Sequence, residues 1–332
     1  MAARIAVIGS NSFSGASFIR HGLKAGYDVL GISRSAEYAN CCLPYRWLPD
    51  SDQSRFTFAR ANLNHELPAL MATLDDYGPD YVVNFAAQGM VAQSWESPLD
   101  WYRTNVLGQV ALHDELRRRP WLRKYVHVGT PEVYGSTSGS IDETAPFNPS
   151  TPYAASRAAC DLHLNTFLKR YDFPVVWTRA ANVYGPGQQL YRIIPRTILF
   201  IKLGRKLQLH GGGHSVRSFI HIDDVADATL RIAEQAPAGE CYHLSTDHFI
   251  SIRDLVAMIC QKMKVNFDQV VEVSDDRPGK DAAYLLDSAK ARASLDWRDR
   301  VSLEAGIEQT ITWVETHFAA LQQQPFDYVH QA

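Results

Sequence analysis

A tyrosine and an arginine four residues apart have the types and spacing of an acid–base pair. Tyr153 directly precedes the segment 154–171, whose apolar spacing predicts a helix, and Arg157 lies within its first turn. Residues at i and i+4 share one helix face, so the guanidinium would stabilise the Tyr153 phenolate. The free phenol has a pKa of about 10, too high for a base at neutral pH. The simpler interpretation is that Tyr153 lies at the start of a helix and has no catalytic role.

The first predicted strand leads into a glycine turn with the composition of a phosphate-binding loop. Residues 9–15 read GSNSFSG and follow the apolar run 4–8. Gly9 permits a tight turn, and Gly15 permits close packing of helix and strand, so a pyrophosphate would meet the positive end of the helix. Ser12 departs from the Gly-x-x-Gly-x-x-Gly spacing, and a βα turn without a ligand is the alternative. The candidate cofactor contacts here are Gly9, Asn11, Ser12, Phe13 and Gly15.

The end of the second predicted strand bears on the type of dinucleotide. Residues 31–35 read GISRS and contain no acidic residue. NAD-specific folds commonly place Asp or Glu at this point to hold the ribose 2′-hydroxyl. Arg34 can instead hold a 2′-phosphate. The predicted cofactor is therefore NAD(P), with NADP favoured over NAD; alternatively, Arg34 is an ordinary surface arginine.

The elements that would position these groups alternate between strands and helices. Near-continuous apolar strands between helices predict an α/β fold of the Rossmann type, a doubly wound parallel sheet covered on both faces. We expect a dinucleotide-binding domain over 1–180 and a smaller, interleaved α/β substrate-binding lobe over 181–332. Ligands of such folds bind at the carboxyl edge of the sheet. The predicted strands are 4–8, 27–32, 80–85, 124–128 and 175–178, and the predicted helices include 14–24, 99–117, 154–171, 222–235, 251–263 and 302–319.

Ordered motifs along nearly the whole chain resemble the extended short-chain dehydrogenase/reductase family, and most closely its nucleotide-sugar 4,6-dehydratases. Each motif is weak alone, whereas their order and spacing together are specific. The resemblance implies a lyase that uses NAD(P) and acts on a nucleotide-diphosphate sugar. The motifs are NFAAQ at 84–88, TNVLG at 104–108, GTPEVYG at 129–135, YAASR at 153–157, RAANVYGPG at 179–187, RSFIHIDDV at 217–225 and DRPGKD at 276–281.

The resemblance implies roles for individual residues. Thr130 would hold the O4 of the sugar or relay its proton, and Tyr153 would act as the base. Once C4 is a ketone, Glu132 would remove the acidified C5 proton before the C6 hydroxyl leaves. The implied catalytic residues are Thr130, Glu132, Tyr153 and Arg157, the last two also touching the cofactor. Further cofactor contacts would be Ala86 and Asn105. The substrate contacts would be Gln88, Asn182, Arg217 and Arg277, and Arg179 also resembles a nucleotide-sugar contact.

Two departures from the family pattern affect this chemistry. Arg157 stands where the family has lysine; arginine keeps the charge but its fork is bulkier, so the exchange is not conservative. Pro131 stands where dTDP-glucose dehydratases have the Asp proposed to protonate the leaving hydroxyl. Either Glu132 acts as both base and acid, or water serves. The alternatives are a 4-epimerase, 5,6-dehydratase or decarboxylase of the same family, or a non-catalytic nucleotide-sugar or dinucleotide-binding protein.

Composition limits the remaining classes of partner. The 332 residues include 33 Lys+Arg and 36 Asp+Glu, and a formal net charge of -3 disfavours nucleic acid. Five cysteines without CxxC spacing predict neither a metal site nor a disulfide framework. No apolar run reaches the ~20 residues of a membrane span, so we expect a cytoplasmic protein without a membrane partner. The resemblance also implies a homodimer formed through the helices near 99–117 and 154–171.

Overall fold

A seven-stranded sheet forms the centre of the computed structural model, which describes residues 3–137, 139–274 and 285–331. The strands are β1 (Arg4–Ile8), β2 (Asp28–Ser33), β3 (Phe56–Arg60), β4 (Tyr81–Asn84), β5 (Lys124–Val128), β6 (Ser140–Ile141), β7 (Val175–Ala180), β8 (Asn182–Tyr184), β9 (Leu207–His210), β10 (Val216–His221), β11 (Cys241–Leu244), β12 (Phe249–Ser251), β13 (Val271–Ser274) and β14 (Leu285–Leu286). The central sheet has the order β11-β7-β5-β4-β1-β2-β3 and every pairing in it is parallel. The predicted α/β fold is confirmed. The strand order reverses between β1 and β4, where ligands of such sheets bind.

Helices cover this sheet and close its ends. They are α1 (Phe13–Lys24), α2 (Asp50–Gln53), α3 (Leu67–Tyr77), α4 (Val91–Glu96), α5 (Pro98–Tyr102), α6 (Gln109–Leu116), α7 (Pro152–Tyr171), α8 (Ile193–Lys202), α9 (Ile222–Gln235), α10 (Ile252–Lys262), α11 (Phe267–Val270), α12 (Ala289–Ser294), α13 (Leu303–Thr316) and α14 (Phe318–Leu321). A π-helical turn, Arg103–Gly108, joins α5 to α6. Among the described helices, none is long and apolar enough to cross a membrane.

The two faces of the sheet have separate apolar cores, because successive strand residues point to opposite faces. Ile5 and Val7 of β1 are buried in a cluster that includes the apolar residues of α1 and α9. Ala6 and Ile8 are buried in a second cluster with residues of α3, α6 and α7. Burial on both faces explains why these strands are apolar at nearly every position.

Among the described residues, three smaller sheets accompany the central one, and all their strands except β6 lie beyond residue 180. Strand β10 pairs in parallel with β8 and antiparallel with β12, while β13 pairs with β9 and β14 with β6. Strand β11 lies at the edge of the central sheet, beside β7. The division at 180 stays a prediction.

The structure differs from the predicted elements in its helices and in its strands: the predicted helix over 302–319 is α13 followed by α14, and strand β11 of the central sheet was not predicted. The helix predicted over 99–117 consists of α5, the π-helical turn and α6. Strand β3 was not predicted, because its sequence FTFAR at a sheet edge is half exposed and lacks a continuous apolar run. Helix α7 begins as expected: Pro152 occupies its first turn, and the Thr151 side chain accepts a hydrogen bond from the Ala154 amide at 3.1 Å.

Candidate active site

The glycine turn after β1 has the tight geometry that its sequence predicts. Gly9 has a φ of +84°, and a Cβ there would lie 2.7 Å from the Ala86 amide nitrogen. A Cβ at Gly15 would overlap the Gly9 carbonyl oxygen. Ser12, which replaces the middle glycine, caps α1: its hydroxyl donates to the Gly9 carbonyl at 2.7 Å and accepts from the Gly15 amide at 3.0 Å. The serine therefore supports the turn from within.

Asn11 connects this turn to the end of β2. Its buried side chain donates to the carbonyls of Ser35 (3.2 Å) and Ala36 (2.8 Å). The Asn11 Oδ1 and Ser10 Oγ atoms are buried without a hydrogen-bond partner in the described parts of the chain. Buried polar atoms are normally satisfied, so a polar ligand at the turn fits them. The close turn and these two atoms together fit a dinucleotide.

Asn105, in the π-helical turn, connects the loop after β4 to α7. Its Nδ2 donates to the Gln88 carbonyl and to the Ser156 hydroxyl, both at 3.0 Å, and its Oδ1 accepts from the Gln88 amide at 2.8 Å. Ala86, on the same loop, accepts from the Gln109 side chain at 2.8 Å. Asn105 therefore fixes the loop after β4 relative to the helix that carries Tyr153.

Thr130, Glu132 and Tyr153 meet where β5 ends and α7 begins. The Thr130 hydroxyl accepts from the Glu132 amide at 3.3 Å and is hydrogen-bonded to the half-buried Tyr153 side chain. Burial raises the pKa of Tyr153, and the nearby Glu132 carboxylate raises it further. The charges of Arg157 and Arg192 and the Thr130 hydrogen bond lower the same pKa. The structure thus brings together three predicted catalytic residues.

Arg157 lies behind Tyr153, and its guanidinium points back toward the end of β5. The side chain is 3% exposed, and its Nη2 donates to the Val128 carbonyl and, at 3.1 Å, to Nε2 of His127. Its Nε has no partner within the described residues. Burial and the two nearby arginines hold the pKa of His127 well below its usual value, so the imidazole is neutral and can accept this bond.

A buried carboxylate balances these cations. Asp161, one turn after Arg157 on α7, is 2% exposed and lies 2.8 Å from Nη2 of Arg179. Its other oxygen lies 3.4 Å from Nε2 of His127. Arg179 also donates to the Tyr134 hydroxyl at 2.9 Å. The structure therefore places Arg179 in the protein interior, where it pairs with Asp161 instead of reaching a nucleotide sugar.

The predicted substrate residues occupy different surroundings. Gln88 is buried, and its Nε2 donates to the Gln331 carbonyl at 2.6 Å. Asn182, on β8, donates to the Ser218 carbonyl at 3.2 Å, and Arg217, on β10, donates to the Val216 carbonyl at 2.8 Å. Arg277 lies outside the described residues. The structure therefore joins Gln88 to Asn105 and to Gln331, whereas Asn182 and Arg217 lie on the neighbouring strands β8 and β10.

Known proteins share this architecture. A model of the GDP-mannose 4,6 dehydratase family matches residues 7–310. The chain belongs to this family. The dTDP-glucose 4,6-dehydratase of Streptomyces niveus is 32% identical over 320 residues, which cover 93% of this chain and 92% of that protein. The enzyme of the same name from Streptomyces antibioticus is 36% identical over 265 residues, which cover 79% and 77%. The solved dTDP-glucose 4,6-dehydratase of Streptomyces venezuelae, with NAD bound, has 30% identity and a TM-score of 0.87, covering 96% of this chain and 98% of that one.

Sequence analysis of this family member missed two groups near the site. Arg192, which precedes α8, lies close enough to Tyr153 for its charge to lower the pKa of the phenol. Arg192 follows the glycine–proline turn at 185–187, and no motif in the sequence marks it as a residue near Tyr153. The carbonyl of Gln331 was also missed, because a main-chain contact from the end of the chain leaves no pattern in the sequence.

A buried group of metal-ligand types lies behind the site. Atoms of His113, His127 and Cys160 lie within 4.8 Å of one another. The Arg157 guanidinium contacts His127 at 3.1 Å, and burial raises the pKa of Cys160 to about 12, so the charge and the protonated thiol both disfavour an added cation. The chemistry of this group favours neutral packed side chains.

Proposed function

We propose that this protein is a nucleotide-sugar 4,6-dehydratase, which converts a nucleoside-diphosphate hexose into its 4-keto-6-deoxy product. Membership of the family and the dTDP-glucose 4,6-dehydratases among its relatives support this activity. The observation that carries the proposal is the position of Glu132, near enough to Tyr153 for its carboxylate to raise the phenol pKa. Dehydration needs a group that removes the C5 proton, whereas simple 4-epimerisation does not.

Thr130 and Tyr153 act on the C4 hydroxyl. Because their side chains are hydrogen-bonded, the hydroxyl proton can pass to the phenolate directly or through Thr130. Arg157 supplies the positive charge that stabilises the phenolate. The glycine turn at 9–15 would hold NAD(P), which would supply hydride acceptance at C4 and hydride donation at C6.

Glu132 serves both proton transfers of the elimination. Its neighbour Pro131 is buried at the start of the 3₁₀ turn Pro131–Tyr134 and has no titratable group. Glu132 therefore removes the C5 proton and, now protonated, delivers that proton to the C6 oxygen as water leaves. One carboxyl can do both because C5 and C6 are adjacent. The elimination leaves Glu132 ionised, so it then takes a proton from water and delivers it to C5 as hydride reaches C6.

The non-catalytic alternative loses support from two contacts. Ser12, the departure in the glycine turn, caps α1 with two hydrogen bonds and leaves the turn intact. Arg157, the departure in the helix, still lowers the pKa of Tyr153. Neither substitution removes a function that the reaction requires.

We further propose that the protein forms a homodimer through α5, α6 and α7. Large apolar side chains are exposed in this region: Leu99 is 73% exposed, Leu107 66% and Leu162 57%. Exposed apolar groups that lie near one another are typical of protein interfaces. Leu162→Glu should give a monomer by light scattering, whereas an unchanged mass would contradict the proposal.

A panel of nucleotide hexoses, followed by mass spectrometry, tests the proposed activity. The expected product has lost one water, with no net production of reduced cofactor, and Glu132→Gln removes that product while nucleotide-sugar binding persists. Thr144→Ala, in an exposed loop, is a matched control that should leave turnover unchanged. Tight binding of every sugar without loss of water from any would contradict the proposal.

A further inference from the structure

The last described residues run as an extended segment to the cleft between the loops after β2 and β4, where Arg34 and Gln88 lie. Along residues 326–331, which we call the C-terminal strap, exposed and half-buried residues alternate, with Phe326, Tyr328 and His330 turned inward. Arg196 holds its start, donating to the Phe326 carbonyl at 3.1 Å and to the Asp327 carboxylate at 3.0 Å. Arg196 belongs to α8, so the first residues of the strap are held against that helix.

The inner side chains fix the strap again near the cleft. The ring of His330 stacks on the buried Trp101 ring with centroids 5.1 Å apart and planes 12° from parallel. Its Nε2 lies 2.9 Å from a carboxylate oxygen of Asp100. These contacts place the next residue, Gln331, at a defined position.

The carbonyl of Gln331 joins the two sides of the cleft. It accepts a hydrogen bond from Nε2 of Gln88 at 2.6 Å and from Nη2 of Arg34 at 3.1 Å. Gln88 follows β4 and Arg34 follows β2, and these strands flank β1, which leads into the glycine turn. The carbonyl thus spans the point at which the proposed dinucleotide site begins.

We propose that the ribose 2′-hydroxyl of NAD takes the place of Arg34 as a donor to the Gln331 carbonyl, and that the C-terminal strap thereby selects NAD over NADP. The inference rests on the dinucleotide site of the proposed function. NAD-specific folds use an Asp or Glu at the end of the second strand as this acceptor, and residues 31–35 contain neither. A carbonyl oxygen can accept from a hydroxyl but has no hydrogen to donate to a phosphate.

The same carbonyl also engages the residue that would otherwise bind a 2′-phosphate. A 2′-phosphate on Arg34 would lie against the Gln331 carbonyl oxygen, and repulsion between the oxygens would move this carbonyl away from buried Gln88. Leaving a buried donor unsatisfied weakens binding by at least the effect of one hydrogen bond. The preference for NADP that Arg34 alone predicts is therefore reversed while the strap is in place.

A chain that ends at Tyr328 tests this inference, because it keeps the Arg196 contacts and removes the carbonyl. Isothermal titration gives the Kd of NAD and of NADP for the intact and shortened chains. We expect the ratio of Kd for NADP to Kd for NAD to fall about tenfold or more on shortening. Arg34→Ala in the shortened chain should abolish the gain in NADP affinity.

Two further variants keep the chain at full length. One should displace the strap, and the other is a control that should leave it in place. His330→Ala removes the contacts with Trp101 and Asp100 without shortening the chain, and should lower the same ratio. Val329→Ala, whose side chain is exposed on the strap, should behave like the intact protein. Thermal melting shows whether each variant is folded.

The possible failures are distinguishable. An unchanged ratio in both the shortened chain and His330→Ala, an equal gain for both dinucleotides, or a gain that persists with Arg34→Ala would overturn the role of the strap. Binding of neither dinucleotide by the intact chain would overturn the proposed function and the inference together. A lower ratio that depends on Arg34 would establish the strap as a determinant of cofactor choice.

Discussion

Replacing Arg157 with methionine should shift the pH dependence of turnover. Methionine removes the buried charge but keeps a long unbranched side chain. In the structure the Arg157 guanidinium lowers the pKa of Tyr153, whereas burial and the Glu132 carboxylate raise it. The reactive form is the phenolate, so turnover is lost as the pH falls through this pKa. Without the cation the pKa rises, and the acidic limb of the profile moves to higher pH.

The size of the shift follows from the position of the two side chains on α7. Tyr153 and Arg157 are i and i+4 residues, whose Cβ atoms are about 6 Å apart on one helix face. At an effective dielectric constant of about 20, a unit charge at about that distance contributes about 2.8 kcal/mol. We therefore expect the acidic limb to move to higher pH by an amount of that order. At a fixed pH below the limb, kcat should fall about 100-fold.

Profiles of kcat against pH for the wild type, Arg157→Met and Arg157→Lys provide the measurement. Lysine keeps the charge, so its limb should lie within about half a pH unit of that of the wild type. Two results would refute the reasoning: a loss in Arg157→Met that is the same at every pH, or a shift in Arg157→Lys as large as that in Arg157→Met. The first would assign Arg157 a structural role, and the second would show that charge is not what it contributes.

Three further substitutions, with Asp114→Asn as a control for one of them, test the remaining parts of the site. Glu132→Gln should lower turnover about 100- to 10,000-fold, while sugar-dependent reduction of the cofactor, followed by absorbance, persists; loss of both would contradict its role at C5. Gly15→Ala places a Cβ against the Gly9 carbonyl, so the free energy of unfolding in urea should fall by about 1–3 kcal/mol and NAD binding should weaken; unchanged stability and binding would contradict the packing argument. Asp161→Asn leaves buried arginine charge unbalanced and should destabilise the fold by about 3–5 kcal/mol. Asp114→Asn, at an exposed arginine pair, should cost about 1 kcal/mol or less, and equal losses from the two would count against the buried network.

The sequence predicts those parts of the fold whose signals are local. Strand β1, the turn at Gly9 and helix α1 follow one another within residues 4–24, so apolar runs and glycine spacing locate them. Helix α7 begins beside a Thr–Pro pair that favours a helix start, which places Tyr153 and Arg157 on its first turns. The break of the predicted helix over 99–117 leaves no such signal, because the π-helical turn depends on contacts that Asn105 makes with Gln88 and Ser156.

Contacts between distant residues account for what the sequence does not predict. The direction of the Arg157 guanidinium depends on His127, which lies 30 positions earlier, and the interior position of Arg179 depends on Asp161. The predicted preference for NADP rests on Arg34 and its immediate neighbours alone, and it stays a prediction. The carbonyl that engages Arg34 comes from Gln331, 297 positions away, and a main-chain atom has no residue type to identify it.

The destination of the C4 hydrogen tests the proposed reaction most directly. A nucleotide hexose that the protein turns over would be supplied with deuterium at C4 in ordinary water, and without label in deuterium oxide, and the products examined by NMR and mass spectrometry. The account predicts a 4-keto-6-deoxy product with deuterium at C6 in the first experiment and with deuterium at C5 in the second. Deuterium returned to C4, with the C6 hydroxyl retained, would contradict dehydration and indicate a 4-epimerase.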